Sequence, residues 1–516
     1  MLLSADGENE GDVLSVIAAS TALTLSDIPF LGPIGAVRIG KINGKFIINP
    51  THSEREISEL DMVYACTKDF PLMIEGSANE ISENDMIAAM REAHAEAVKI
   101  IDLQLELRRK LGLPEKVITI PEEDLSILNA AREICSTELQ EACLIKGKQE
   151  RAEAINKIKD ELQPKLLEKF PEMTEEQFRS TFDELEIECV RKNIFEKNLR
   201  PDGRTFEEIR PLYAQVGILP RVHGSALFAR GETQAMGTVT LGTKADIQSL
   251  DSITGGNDEK KFMFHYNFPP YSVGEVGKIG STGRREIGHG ALAERSLLPV
   301  IPKDYPYTIR IVSDIMGSNG STSMASVCVG TLALMDAGIP IKKPVAGISI
   351  GLFTKEEKSI LVTDILGTED HCGDMDFKVA GTREGITGFQ VDLKIRGLPW
   401  ELVAKAFEEA RKARLQILDF MERIISEPRP YLSPYAPRIK TIKIPVDKIG
   451  ELIGPGGKNI KRITELSGAQ IDIDNDGNVN IYATDSQSMQ IALNEVSIIA
   501  AAVSYTHLTL PTIYSV

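Results

Sequence analysis

Sixteen residues, Thr368 to Arg383 (TEDHCGDMDFKVAGTR), hold four carboxylates, Glu369, Asp370, Asp374 and Asp376, and one lysine, Lys378. From Asp374 to Val379 polar and apolar residues alternate, the period of a half-buried strand. Asp374, Asp376 and Lys378 then share one face, with Asp376 and Lys378 roughly 7 Å apart at about 3.3 Å per residue. Carboxylates crowded together repel, and a hard cation such as Mg²⁺ or Mn²⁺ relieves that repulsion through oxygen ligands. The lysine adds positive charge where negative charge would develop on a phosphate. A solvated acidic turn is the alternative, since acidic runs are usually solvent-facing.

A second stretch suits anions. Ser318 to Ser326 (SNGSTSMAS) runs directly into an apolar helix pattern. Hydroxyls and free backbone N–H groups at a helix N-terminus bind phosphate, although one serine or threonine can simply cap the helix. Arg284 and Arg285, in TGRREIGHG, could grip phosphates with forked hydrogen bonds. His289 in the same run reads by itself as structural.

A third stretch, Ile449 to Ile460 (IGELIGPGGKNI), has an apolar pair, a G-x-x-G loop and a basic apolar helix, the signature of a KH module for single-stranded nucleic acid. Gly454, Gly456 and Gly457 let a nucleic-acid backbone approach closely, and Lys458 follows them. From Arg438 to Arg462 seven basic residues face two acids. This local patch matters because the whole chain carries −17, which argues against wholesale coating of nucleic acid.

The elements that must position these residues are legible in outline. A chain of 516 residues implies three or four domains. No apolar run reaches a membrane span, so no membrane association is expected. The first residues lack a signal-peptide pattern. Six cysteines without CxxC spacing indicate reduced thiols in a cytoplasmic protein. Residues 13–27 suit a buried helix, followed by short strands at 36–39, 45–48 and 61–64. Ser82 with Asp85 signals a helix running to about Gly112. Residues 113–198 are expected to be all-helical. Residues 199–425 alternate strands and helices, 426–437 form a Pro-rich linker, and 438–501 form the KH unit. The expected class is α/β (α+β).

The chain also repeats itself. Val16–Pro29 aligns with Val327–Pro340, and Glu59–Thr67 with Asp374–Thr382. Asp61 matches Asp376, but Val63 stands at Lys378, Arg55 at Asp370, and Gly11 and Asp12 at Thr322 and Ser323. Only the second copy can be complete, and the first is expected to be silent.

Together LRPDGRTFEEIRPL (199–212), HGSALFARGETQ (223–234), STGRREIGHG (281–290), SNGSTSMAS (318–326), EDHCGDMDFKVAGTREG (369–385) and the KH loop resemble the bacterial polynucleotide phosphorylase family. The resemblance implies RNase PH-type domains flanking an all-helical domain, followed by a KH domain. It implies a homotrimeric ring that degrades single-stranded RNA from its 3′ end in mRNA turnover, with inorganic phosphate as co-substrate, nucleoside diphosphates as product, and a place in an RNA-degradation complex. It assigns metal binding to Asp370 and Asp376 and catalysis to both together with Lys378. Ser321, Thr322 and Ser323 become phosphate ligands, and Arg284, Arg285 and His289 become RNA contacts. Thr322 stands where the family usually has serine. Residues 1–112 are then the C-terminal part of a first RNase PH-type domain. The expectation is a fragment shortened at both ends, with a stretch foreign to the family at 502–516. Non-catalytic RNA binding and a hydrolytic metal nuclease are the competing readings.

Overall fold

The computed structural model describes residues 2–119, 124–256 and 259–501; the stretch 502–516 lies outside them. The first segment contains α1 (Asp12–Leu25), β1 (Gly35–Ile42), β2 (Lys45–Ile48), α2 (His52–Ile57), β3 (Leu60–Cys66), β4 (Pro71–Ile81) and α3 (Glu83–Lys110). Ser82 caps α3 by accepting the Asp85 N–H, as the spacing predicts. Three helices follow: α4 (Ser126–Ala142), α5 (Lys148–Lys169) and α6 (Glu175–Lys192).

The third segment contains β5 (Leu212–Val216), β6 (Gly224–Arg230), β7 (Thr233–Gly242), β8 (Gln248–Ser249), β9 (Glu259–Lys260), β10 (Phe262–Asn267), α7 (Arg284–Leu297), β11 (Thr308–Gly317) and α8 (Thr322–Asp336). It continues through β12 (Ala346–Lys355), β13 (Lys358–Thr363), α9 (Gly367–Cys372), β14 (Met375–Gly381), β15 (Ile386–Leu393) and α10 (Trp400–Ile424). The last unit is β16 (Arg438–Lys443), α11 (Ile449–Ile453), α12 (Lys458–Ser467), β17 (Gln470–Ile473), β18 (Asn478–Ala483) and α13 (Ser486–Ala501).

Among the described residues, β13-β12-β14-β15-β4-β3-β1-β2 form one eight-stranded sheet. Four strands come from each copy of the repeat, joined where β15 pairs antiparallel with β4. A five-stranded sheet, β10-β11-β7-β6-β5, covers the second copy only. Helix α8 lies between the two sheets, against β6 and β7 on one side and β12 on the other. Its sequence, TSMASVCVGTLALMD, has no polar stripe, and every residue of it is buried. Its repeat partner α1 has a similar composition but buries only Val13, Ser20 and Thr24, because one sheet alone packs on it among the described residues.

The helical segment is attached to the eight-stranded sheet by apolar and polar contacts. Its core, including Leu139, Cys143 and Cys189, is continuous with Phe353, Val362, Ile365 and Cys372. At its edge the Arg191 guanidinium donates to both oxygens of Asp374, at 3.0 and 3.1 Å, and to the carbonyls of Cys372 and Thr354. Asp374 also accepts the Thr354 N–H and hydroxyl. It is therefore a tether just ahead of β14 and not a member of an acidic cluster. Replacing Arg191 with alanine should lower the urea midpoint and cost about 2–3 kcal/mol, the scale of losing hydrogen bonds to a charged group. An unchanged midpoint would mean that apolar packing alone holds the helical segment.

Candidate active site and nucleic-acid interface

Strand β14 presents Asp376 and Lys378 on one face because side chains two apart point the same way. In register, Lys378 lies between Ser349 of β12 and Gln390 of β15. Asp376 lies between Gly351 and Asp392. Lys378 Nζ is 2.8 Å from Asp376 Oδ2 and donates to Gln390 Oε1 at 3.1 Å. Burial opposes the ammonium charge, but Asp376, with Asp392 and Asp370 behind it, holds Lys378 protonated above its ordinary range. Asp376 Oδ1 is buried and has no protein partner.

Asp370 comes from the short helix α9. Burial, reinforced by the charge of Asp376, raises its pKa. Lys394 caps the end of that helix by donating to the carbonyls of Asp370 and His371. A cavity of about 440 Å³ opens here, lined by Arg285, His289, Asp370, Asp376, Lys378, Gln390, Asp392 and Lys394, with Gly288 and Leu393. Arg284 is exposed and is not on this wall.

The four carboxylates of the 368–383 window thus part company. Glu369 points inward and receives two hydrogen bonds of 2.7 Å from Arg200, both groups being fully buried. Asp374 is tethered to Arg191. Only Asp370 and Asp376 face the cavity, and Asp392 joins them from the neighbouring strand.

The hydroxyl loop sits at the start of α8 and not on the cavity wall. Ser321 is its N-cap in the left-handed conformation (φ 55°, ψ 40°), with no side-chain cap bond. The hydroxyls of Ser321 and Ser323 are buried without partners. Thr322 pairs with the Tyr266 hydroxyl at 2.7 Å, and the Tyr266 ring meets His289 edge-on, 5.1 Å between centroids. Tyr266 and His289 therefore connect the hydroxyl loop to the cavity. Burial, helped by the charges of Lys378 and Arg285, lowers the His289 pKa to about 4, so the ring is neutral at pH 7.

The first copy places Asp61 where the second has Asp376, but fills the surroundings differently. Arg55 donates to Asp61 at 2.8 and 3.1 Å and pairs with Glu10 at 3.2 Å. Arg38 bridges Asp61 and Asp12. Arg38 faces Val63 on β3, as Ser349 faces Lys378 in the second copy. The cation has moved one strand over and binds the carboxylate that would otherwise be open.

In the last unit, β16 and β17 both pair antiparallel with β18. Gly454, Gly456 and Gly457 link α11 to α12 with φ of 71°, 61° and 79°, a region that side chains rarely adopt. The Asn459 amide donates to the Glu451 carbonyl at 2.8 Å and closes the loop. A Cβ on Gly456 would meet open space and one on Gly457 only ordinary contacts with Lys461 and Ile460 at 3.9 and 4.0 Å, and Lys458 is exposed beside them.

Comparison with known proteins follows the same division. Residues 208–340 match the model of the 3′ exoribonuclease family, domain 1, and residues 32–96 match domain 2 of that family. Residues 126–205 match the polyribonucleotide nucleotidyltransferase RNA-binding domain, and residues 439–497 the KH domain. The chain is 53% identical over 499 residues to the polyribonucleotide nucleotidyltransferase of Methylacidiphilum infernorum, covering 95% of this chain and 71% of that protein. It is 48% identical to the Akkermansia muciniphila protein of the same name, covering 96% and 71%. It is 50% identical to the one from Opitutus terrae, covering 96% and 70%. The chain belongs to the polyribonucleotide nucleotidyltransferase family, and is a phosphorolytic 3′-to-5′ exoribonuclease with RNase PH-type and KH domains.

Proposed function

We propose that the second copy carries the reaction, with inorganic phosphate as nucleophile and Asp370, Asp376 and Lys378 as the catalytic set. The observation that carries this reading is the buried, unpartnered Oδ1 of Asp376 beside a protonated Lys378. Asp370, burdened by burial and by the charge of Asp376, is the second carboxylate. Both fit a divalent cation, Mg²⁺ or Mn²⁺. Among the described residues no three acidic, histidine or cysteine side chains converge as a metal cluster. The protein would supply two carboxylates, with RNA phosphate and water completing the shell, a common arrangement for Mg²⁺. When bound, such an ion neutralises charge between two anions and polarises the phosphoryl group.

The residues act as follows. The unpartnered hydroxyls of Ser321 and Ser323, with Thr322 and the N-terminus of α8, hold phosphate. A phosphate oxygen attacks the last phosphodiester phosphorus, and the bond to the 3′-oxygen of the preceding nucleotide breaks. A nucleoside 5′-diphosphate leaves, and the 3′-oxygen takes the proton that hydrogen phosphate gives up as it attacks. Lys378 stabilises the charge developing on that oxygen. Arg285, exposed at the cavity mouth, grips the RNA backbone, and Arg284 does so further out. Neutral His289 supports Tyr266 and, through it, Thr322. The KH loop, with Gly454, Gly456, Gly457 and Lys458, supplies affinity for the single strand. A homotrimeric ring within a cytoplasmic RNA-degradation complex is the expected setting. Six free, buried cysteines suit a reducing compartment, and among the described residues no helix is long and apolar enough to cross a membrane.

Three measurements test this reading. Incubated with RNA, Mg²⁺ and phosphate, the protein should release nucleoside 5′-diphosphates, and Asp376→Asn should cost at least ~10²-fold in turnover. Monophosphates formed without phosphate would make it a hydrolase. Gly457→Asp should weaken binding of long RNA and flatten its salt dependence without altering turnover of saturating short oligonucleotides. A large turnover loss there would place the KH loop in the chemistry.

His289 gives a pH signature. Its folded-state pKa lies below the unfolded value, so its contribution to stability is complete above about 6.5 and is lost as pH falls toward about 4. Acid titration of His289→Gln should show a shallower loss of stability in that window than the parent protein. Identical profiles would mean the imidazole is not held neutral.

A further inference from the structure

We propose that Asp364 is the positioning residue for phosphate, fixing the hydroxyl loop through Arg210 and Arg230 at a set distance from the helix that carries Asp370. This rests on the reading of residues 321–323 as the phosphate cradle.

Asp364 is fully buried, at φ 58°, in the link between β13 and α9. Its Oδ2 accepts from the Arg210 N–H at 2.8 Å and from Arg210 Nε at 2.9 Å, and its Oδ1 accepts from Arg210 Nη2 at 2.7 Å. Arg230 Nε lies 2.9 Å from Oδ1 in a bent geometry, and Arg204 adds a contact at 3.3 Å. Both arginines then reach the loop. Arg210 donates to the Asn319 carbonyl at 2.7 Å, and Arg230 to the Ser321 carbonyl at 3.1 Å. Thr233, held by Arg210, accepts the Asn319 N–H and donates to the Gly320 carbonyl. The loop cannot relax away on its other side either. A Cβ at Gly320 would lie 2.6–2.7 Å from the backbone of Ile365, Leu366 and Gly367, where α9 begins.

One carboxylate therefore orients two guanidinium groups, and these set the backbone on which Ser321 and Ser323 hang. Neither hydroxyl has any other restraint, since both lack protein partners. Their placement depends on the backbone, which Asp364 holds through its two arginines alongside the bonds of Asn319 to Glu232 and Gly367 and of Lys148 to the Ser318 carbonyl. The metal-bearing side has a further anchor of its own. Arg200 fastens Glu369 of α9 and donates to the carbonyls of Thr363 and Asp364. Removing the Asp364 charge should thus disturb phosphate more than metal.

The test compares phosphorolysis by Asp364→Asn, Arg230→Lys, Thr233→Val and Ser323→Ala, with phosphate and Mg²⁺ titrated independently. Asp364→Asn and Arg230→Lys should raise KM for phosphate roughly tenfold, the scale of losing a charge-assisted hydrogen bond. The Mg²⁺ concentration for half-maximal rate and the affinity for long RNA should be unchanged. A purely structural role would lower melting temperature and active fraction without moving KM for phosphate, and that result overturns the inference. If Asp364→Asn does not fold, Arg230→Lys and Thr233→Val decide: unchanged KM for phosphate in both rejects it. Ser323→Ala separates the two levels. If it leaves KM for phosphate unaltered, the cradle reading fails. If it raises KM while the Asp364, Arg230 and Thr233 variants do not, the cradle stands and only the positioning inference falls.

Discussion

Two buried carboxylates, Asp364 and Glu369, and the four arginines converging on them hold the hydroxyl loop to the helix that carries Asp370. Arg204, Arg210 and Arg230 turn toward Asp364, and Arg200 toward Glu369. Burial by itself would raise the Asp364 pKa, but the charges of Arg210 and Arg230 more than offset it, and the carboxyl lies below its ordinary range. Removing ions from water costs several kcal/mol each, and such a network persists only if nearly every donor and acceptor is satisfied. Here the spare guanidinium N–H groups end on backbone carbonyls of Thr205, Glu208, Thr363, Asn319, Ser321 and Ile365. Segments far apart in sequence are thereby fixed at one point: the turn after the helical domain, β6, the hydroxyl loop and the link into α9.

This arrangement also divides charge across the site. Asp202 pairs with Arg204 at 2.6 Å, and Glu232 and Lys148 touch the loop at Asn319 and Ser318, so four guanidinium groups and one ammonium stand against four carboxylates around the hydroxyl loop. One positive charge in excess favours an anion there. On the cavity wall Asp370, Asp376 and Asp392 are matched by Lys378, Arg285 and Lys394, and the Asp376 Oδ1 is left without a protein partner. Phosphoryl transfer between two anions needs cationic groups close to both. In the first copy Arg38 and Arg55 sit directly on Asp61 and occupy both of its oxygens.

Much of this was readable beforehand, and the reasons differ by element. Helices α1, α3, α8 and α10 follow from composition, capping at Ser82 and length. Asp370, Asp376 and Lys378 are brought to one cavity with Arg285 and His289 because local alternation on β14 sets the direction of two of them. What the sequence hid is pairing at a distance. Glu369 and Asp374 lie in the same acidic run as the cavity residues, and only their partners Arg200 and Arg191, more than 160 residues earlier, decide that they are structural. Asp392 was missed, although a signal exists: Gly381 to Gly385 is a turn between two apolar-rich runs, and folding it into a hairpin sets Asp392 opposite Asp376. Tyr266 carries no local mark at all; its role comes from β10 lying beside the start of α8.

The joined sheet explains what a copy without the cavity chemistry contributes. The side chains of Ser349, Lys378, Gln390, Glu75, Val63 and Arg38 occupy matched positions on six adjacent strands. Gln390, which accepts from Lys378, is on β15, the strand at which the two copies meet. Without β4, that strand would be an open edge beside the cavity, with unpaired N–H and C=O groups and freedom to slip in register. A slip of one residue would turn Gln390 and Asp392 away from the cavity. Pairing Gln390 with Glu75, itself held by Arg295 of α7, pins the register from the first copy. The first copy thus acts on the site through strand geometry, and its own polar residues are free to be spent on internal ion pairs.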